Sequence, residues 1–140
     1  MSWRRGCSMS TRPSSYWRLR PYLYRLEGNR CTQCGHFNPL ARKICRKCGS
    51  RRLERDRLAG RGKLRHFTVV YQPQTGFEKT VPYVVAWVEM SDGTQIIGQV
   101  TDCEPSELSV GMDVETVVRK IRVDGESKLI VYGVKFRPVL

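Results

Sequence analysis

The chain has 140 residues, 40% of them hydrophobic and 27% charged, with a formal net charge of +12; this is one ordinary domain or two very small ones, on the polar side of globular but not disordered. The charge is uneven: residues 1–64 carry 17 Lys+Arg against 3 Asp+Glu (+14), and residues 65–140 carry 8 against 10 (−2). That division suggests two modules, the first suited to an anionic partner such as nucleic acid, a nucleotide-like cofactor or an acidic protein surface. No run approaches the roughly 20 apolar residues of a membrane helix, and the opening MSWRRGCSMSTRPSSYW lacks the apolar stretch of a secretory signal, so we expect a cytoplasmic protein with no membrane partner.

Residues 1–13 are polar and basic and read as a flexible tail, with a terminal thiol at Cys7 and an alternative start at Met9. An N-terminal helix or strand is expected over 14–30. Ser14 or Ser15 can cap a short helix across YWRLRPYLY, which Pro21 should cut short or bend. Tyr16, Trp17, Leu19, Tyr22, Leu23 and Tyr24 form a dense aromatic and apolar cluster, which must pack on the second module or on a partner.

Residues 31–50 are the clearest segment. Two CxxC pairs, Cys31/Cys34 and Cys45/Cys48, are separated by ten residues, and each is followed by glycine, Gly35 and Gly49. In a reducing compartment such cysteines are metal ligands rather than disulfides. The pairs build two knuckles, tight turns whose amides point at the thiolates, and glycine supplies the positive φ these turns need. Four thiolates at about 2.3 Å complete a tetrahedral ion and leave no open position for water. The expected cofactor is therefore one structural Zn²⁺, with iron in a rubredoxin-like centre as the alternative. His36 reads as a surface residue, because four sulfurs already complete the set. So small a ribbon has little core, and metal binding supplies its folding energy.

Residues 51–65 read as a charged linker with Gly60 and Gly62 as turn formers; the string GRGK lacks the spacing of a phosphate loop. From 66 to 140 the pattern changes to five β-rich runs, at 66–72, 82–90, 94–100, 114–121 and 128–136. The SDG sequence at 91–93 signals a hairpin, and CEPSELSVGM holds enough for one helical turn before the fourth run. Five strands with a short turn between the third and fourth, in about 75 residues, is the pattern of an OB-fold barrel, with another five-stranded topology as the alternative. The expected fold class is mainly β: a short N-terminal helix and zinc ribbon followed by a five-stranded OB-fold barrel.

Catalysis has little to work with. His36 and His66 are the two histidines, no nucleophile elbow or phosphate loop is present, and neither Cys7 nor Cys103 has a base nearby in sequence. Cys103 reads as a small, buried or half-buried residue. Nucleic-acid binding is a competing reading, since OB barrels hold single strands on aromatics in a basic groove. Here, however, the barrel half is slightly acidic and the cations sit on the ribbon.

YW at 16–17, CTQCG at 31–35, NPLAR at 38–42, CRKCGS at 45–50, LAGRGKL at 58–64, FTVV at 67–70, PY at 82–83, VGMDV at 110–114 and FRP at 136–138 form a specific combination. It resembles that of a prokaryotic family with a rubredoxin-like zinc ribbon, an OB fold and an association with acyl-CoA enzymes. The likeness runs from about Tyr16 to Pro138, with one departure: many relatives have two adjacent prolines where this chain has Pro39-Leu40-Ala41-Arg42. The resemblance implies a non-catalytic accessory subunit that binds and bridges a thiolase-type or related acyl-CoA enzyme and helps form its CoA site. CoA would present phosphates, which suit arginine forks, and an adenine, which suits aromatic faces. The candidate ligand contacts are then Trp17, Arg61, Lys63, Arg65 and Phe67, near the junction of the modules.

Overall fold

The structure, a computed structural model, describes residues 13–40, 42–74, 77–123 and 129–140. Apart from Pro13, the expected tail with Cys7 and Met9 lies outside the described residues, as does Ala41 of the NPLAR string. Helix α1 spans Pro13–Arg25. Pro13 opens it, where a missing amide costs nothing and the fixed φ is helical. The helix is longer than expected, because it continues through Pro21. Tyr16, Leu19, Tyr22, Leu23 and Leu26 recur at helical spacing and are all at least half-buried, so packing along one face outweighs the single donor lost at the proline. Leu26 ends the helix with φ 51, its amide donating to the Tyr22 carbonyl at 3.0 Å.

The ribbon is a three-stranded antiparallel sheet in the order β2-β1-β3, with β1 Glu27–Cys31, β2 Phe37–Pro39 and β3 Leu53–Arg57. Residues read as a plain linker therefore carry strand β3 and the start of the next strand. The sequence LERDR shows no apolar alternation. Its strand character comes from pairing with β1 and from charges matched across the strands, Arg55 to Glu27 and Asp56 to Arg30, both at 2.6 Å.

The OB-fold barrel is built from β4 Arg61–Val70, β5 Tyr83–Met90, β6 Gln95–Val100, β7 Asp113–Val123 and β8 Ile130–Pro138. It closes in the order β4-β5-β6-β8-β7. The β5–β6 hairpin turns at the expected SDG, where Gly93 takes φ 84 and the Asp92 carboxylate accepts the Thr94 amide at 3.0 Å. Between β6 and β7 a single 3₁₀ turn spans Pro105–Glu107, capped by reciprocal bonds between Glu104 and Glu107. Strand β6 meets β8 in parallel at Val100 and Phe136. Helix α1 lies over that seam, with Tyr22, Leu23 and Leu26 against Ile96, Gly98, Val134 and Phe136.

Two details of β4 decide which side chains face outward. Gly62, expected as a turn former, lies inside the strand and is buried. A Cβ there would come within 2.5 Å of the Glu89 carbonyl oxygen, so glycine serves close strand approach instead. Arg65 has no partner opposite it, because Leu64 pairs with Val88 and His66 with Trp87. This bulge reverses the alternation: Gly62 and Leu64 point inward before it, Phe67 and Val69 after it.

A single apolar core runs through both modules. Leu26, Phe37 and Leu58 belong to the same buried cluster as Leu64, Val88, Val114 and Phe136 of the barrel. The ribbon is thus seated on the barrel rather than tethered to it.

Candidate functional site

The two knuckles have the same construction. The Gly35 amide donates to the Cys31 carbonyl and the Gly49 amide to the Cys45 carbonyl, each at 3.0 Å, with φ 71 at both glycines. The Cys31 amide returns to the His36 carbonyl at 3.0 Å, and the Cys45 amide to the Ser50 carbonyl at 2.8 Å. This brings the four expected ligands together, with all their sulfurs within 4.8 Å of one another. Cys31 and Cys48 are 3.5 Å apart, Cys34 and Cys45 3.6 Å. A tetrahedron with metal–sulfur bonds of about 2.3 Å has edges of about 3.8 Å, so the cluster fits a closed four-thiolate ion. His36 is exposed and stands outside the set.

The electrostatics favour a thiolate at Cys45 and Cys31, whereas the Cys48 thiol, despite the Ser50 backbone hydrogen bond, is pushed up to about 12 by the neighbouring sulfurs, Cys31 foremost. The Cys48 amide, and after it the Asn38 side chain, help draw the Cys45 thiol down to about 6, against its partial desolvation. The Cys31 thiol is lowered foremost by the Cys34 amide. Asn38 is the functional residue that the sequence reading missed. It is fully buried on β2, its Nδ2 lies 3.5 Å from the Cys45 sulfur, and its Oδ1 accepts the Arg46 amide at 2.9 Å. It thereby orients one ligand and the loop that carries it. The available signal was a polar side chain next to Phe37 in a short strand between the knuckles.

The candidate ligand contacts separate into three places. Arg61, Lys63 and Arg65 line one open groove of about 450 Å³, together with Glu89, Ser91, Asp113 and Val139. Arg65 is held by Glu89 at 2.6 Å, whereas Arg61 and Lys63 have no carboxylate partner among the described residues. Phe67 points into the barrel beyond the bulge and packs on the core. Trp17 is 68% exposed on α1, under the Arg20 guanidinium at 4.3 Å and beside Ile130–Tyr132. Its neighbours open β8, while Val139 follows the strand's end. Those nine residues span about 30 Å, so Trp17 does not share the basic groove.

Two further features were not visible in the sequence. Arg30 binds three elements at once: Asp56 on β3 at 2.6 Å, the Gly35 carbonyl of the first knuckle at 3.0 Å, and Asp92 in the barrel hairpin. On the outer barrel face His66, Trp87 and Ile97 form one cross-strand row, with the His66 and Trp87 rings 5.8 Å apart. Cys103 is half-buried, and burial followed by the carboxylates of Glu107, Asp102 and Glu104 holds its thiol above the usual range, which opposes a nucleophilic role. Among the described residues no helix is long and apolar enough to cross a membrane.

Comparison with known proteins agrees with this architecture. Residues 20–54 match the family model described as the ChsH2 rubredoxin-like zinc ribbon domain, and residues 56–119 match that of the ChsH2 C-terminal OB-fold domain. A protein of Pyrococcus furiosus named as a DUF35 domain-containing scaffold protein is 45% identical over 91% of this chain and 93% of its own. The benzoylsuccinyl-CoA thiolase subunit BbsA of Geobacter metallireducens is 28% identical over 85% of this chain and 76% of its own. Among solved structures, a chain described as the Ltp2-ChsH2(DUF35) aldolase superposes with a TM-score of 0.64 at 27% identity, covering 88% of this chain and 90% of that one.

Proposed function

The chain belongs to the ChsH2-type, DUF35 family of zinc-ribbon and OB-fold proteins, and from this we propose that it is a non-catalytic subunit that binds and bridges a thiolase-type or related acyl-CoA enzyme in the cytoplasm. The observation that carries this reading is the likeness over nearly the whole chain to a component of the Ltp2-ChsH2(DUF35) aldolase. The name of the thiolase subunit relative and the poor catalytic inventory support it. One structural zinc ion occupies Cys31, Cys34, Cys45 and Cys48; the closed sulfur set orders both knuckles and offers no position for substrate. Arg61, Lys63 and Arg65 contribute cationic donors to the phosphates of CoA at the enzyme's edge. Trp17, at the other end of β8, contacts the enzyme.

The exposed His66–Trp87 pair supports a second reading, a stacking platform for single-stranded nucleic acid. One experiment separates the two: purification of the tagged protein from its native host, with and without nuclease, and identification of what accompanies it by mass spectrometry. We expect a CoA-using enzyme that survives nuclease. Recovery of only nucleic-acid-bound proteins, lost on nuclease treatment, overturns the subunit reading.

A further inference from the structure

We propose that the second knuckle and its approach, Leu40 together with residues 42–52, form a docking tip for an acidic protein surface, that of the acyl-CoA enzyme inferred above, on which reading the proposal rests. Between Cys31 and Leu53 the chain has no Asp or Glu, yet it carries Arg42, Lys43, Arg46, Lys47, Arg51 and Arg52. All six are exposed. Elsewhere several arginines are paired internally, as in Arg30–Asp56, Arg55–Glu27, Arg65–Glu89, Arg119–Asp102 and Arg137–Glu115, although Arg61 has no such pair among the described residues. None of the six at the tip has a side-chain ion pair among the described residues. A four-thiolate centre holding a dication contributes about −2, so the tip keeps a net positive charge that calls for anions from outside.

The tip also presents apolar groups. Ile44 is 50% exposed and Leu40 43% exposed. Leu40 adopts φ 67, a left-handed conformation that favours glycine or asparagine. Folding alone does not call for a leucine there, because the side chain is turned outward. Two exposed aliphatic side chains in a segment rich in exposed cations match an apolar hollow rimmed with carboxylates. They match a nucleic acid poorly, because residues 40–52 contain no aromatic ring on which a base could stack.

The backbone beneath the tip is held in place before any partner arrives. Asn29 donates to the Arg42 carbonyl at 2.8 Å, Arg46 donates its amide to Asn38 at 2.9 Å, and the Cys45 amide bonds to Ser50 at 2.8 Å. Docking then orders side chains only, which lowers its entropic cost.

The test uses the full-length, metal-loaded protein and the enzyme that co-purifies with it. A zero-length carbodiimide condenses a lysine amine with a carboxylate into an amide, the water being taken up by the reagent as a urea. We expect cross-links from Lys43 or Lys47 to Asp or Glu of the enzyme. The triple variant Arg42→Glu/Arg51→Glu/Arg52→Glu should keep its metal but recover on the order of tenfold less enzyme. Leu40→Asn, which suits the left-handed backbone, should also recover less. Undiminished recovery by the triple variant, with cross-links confined to lysines such as Lys63 and Lys135, overturns this surface and leaves the subunit reading standing. If the unaltered protein brings down no acyl-CoA enzyme, both fall.

Discussion

Asn38 shows how one buried amide contributes to a metal centre without touching the ion. Its Nδ2 faces the Cys45 sulfur and its Oδ1 fixes the Arg46 amide. Replacing it with alanine removes these bonds, and the one from Nδ2 to the His36 carbonyl at 3.2 Å, and leaves the four cysteines in place. We expect Asn38→Ala to weaken metal affinity by about 10–100-fold, measured by competition with a chromogenic chelator, while the dispersed barrel signals in an NMR spectrum persist. Gly62 acts through sterics alone. Gly62→Ala drives a methyl group toward the Glu89 carbonyl and the Val88 side chain, and should cost about 1–3 kcal/mol in urea denaturation. At this scale the clustering of the four cysteines was legible in the sequence, because CxxCG carries both the sulfur spacing and the glycine conformation. Asn38 and Gly62 were not, because their roles depend on what lies across from them.

Among the elements, β4 does the most to place functional groups. The bulge at Arg65 lets one strand present Lys63 and Arg65 to solvent at one end and deliver Phe67 and Val69 to the core at the other. Deleting Arg65 would remove the bulge and leave Phe67 and Val69 facing inward, still opposite Ala86 and Val84, whereas inserting a residue between His66 and Phe67 would turn both outward. We expect the insertion to collapse NMR dispersion, whereas the deletion of Arg65 retains it. A period-2 reading could not place Phe67 because a bulge leaves no mark in apolar alternation. Strand β3 was hidden for a different reason: LERDR is stabilised by pairing with β1 and by charges facing Glu27 and Arg30, all more than twenty residues away. The barrel strands were legible because each buries one face, with Val84, Ala86, Val88 and Met90 of β5 alternating inward.

For the whole molecule, the question is whether ribbon and barrel respond as one. Arg30 connects the first knuckle, β3 and the Asp92 turn. Its side chain and that of Asp92 are 31% and 27% exposed, so solvent screens the pair and its coupling should be modest. A double-mutant cycle with Arg30→Met and Asp92→Asn should give about 0.5–1 kcal/mol by chemical denaturation. The shared core makes a stronger prediction. Phe37 and Leu26 are buried with the barrel residues, so stripping the metal should destabilise both modules. We expect chelation to raise hydrogen exchange in β5 and β6 as well as in the knuckles, with one melting transition at lower temperature. Two independent transitions would show that the modules fold separately. Sequence suggested two modules because charge and periodicity change near residue 65. It did not reveal their union, which rests on residues from distant parts of the chain meeting at one surface.

The seat of helix α1 has a consequence for how the protein is made. The helix lies over the seam between β6 and β8, and Arg122 of β7 donates to the Tyr16 hydroxyl at 2.9 Å. The strand that completes its resting place, β8, begins at Ile130, about a hundred residues after the helix ends at Arg25. On the ribosome, α1 therefore emerges seconds before its apolar face has anywhere to go. Long-range closure of this kind slows folding. It also ties the covering of α1 to the synthesis of β8: a nascent chain that stalls before Ile130 leaves Tyr22, Leu23 and Leu26 uncovered, an apolar patch of the sort chaperones and proteases recognise, so incomplete copies are marked for removal before they can reach a partner.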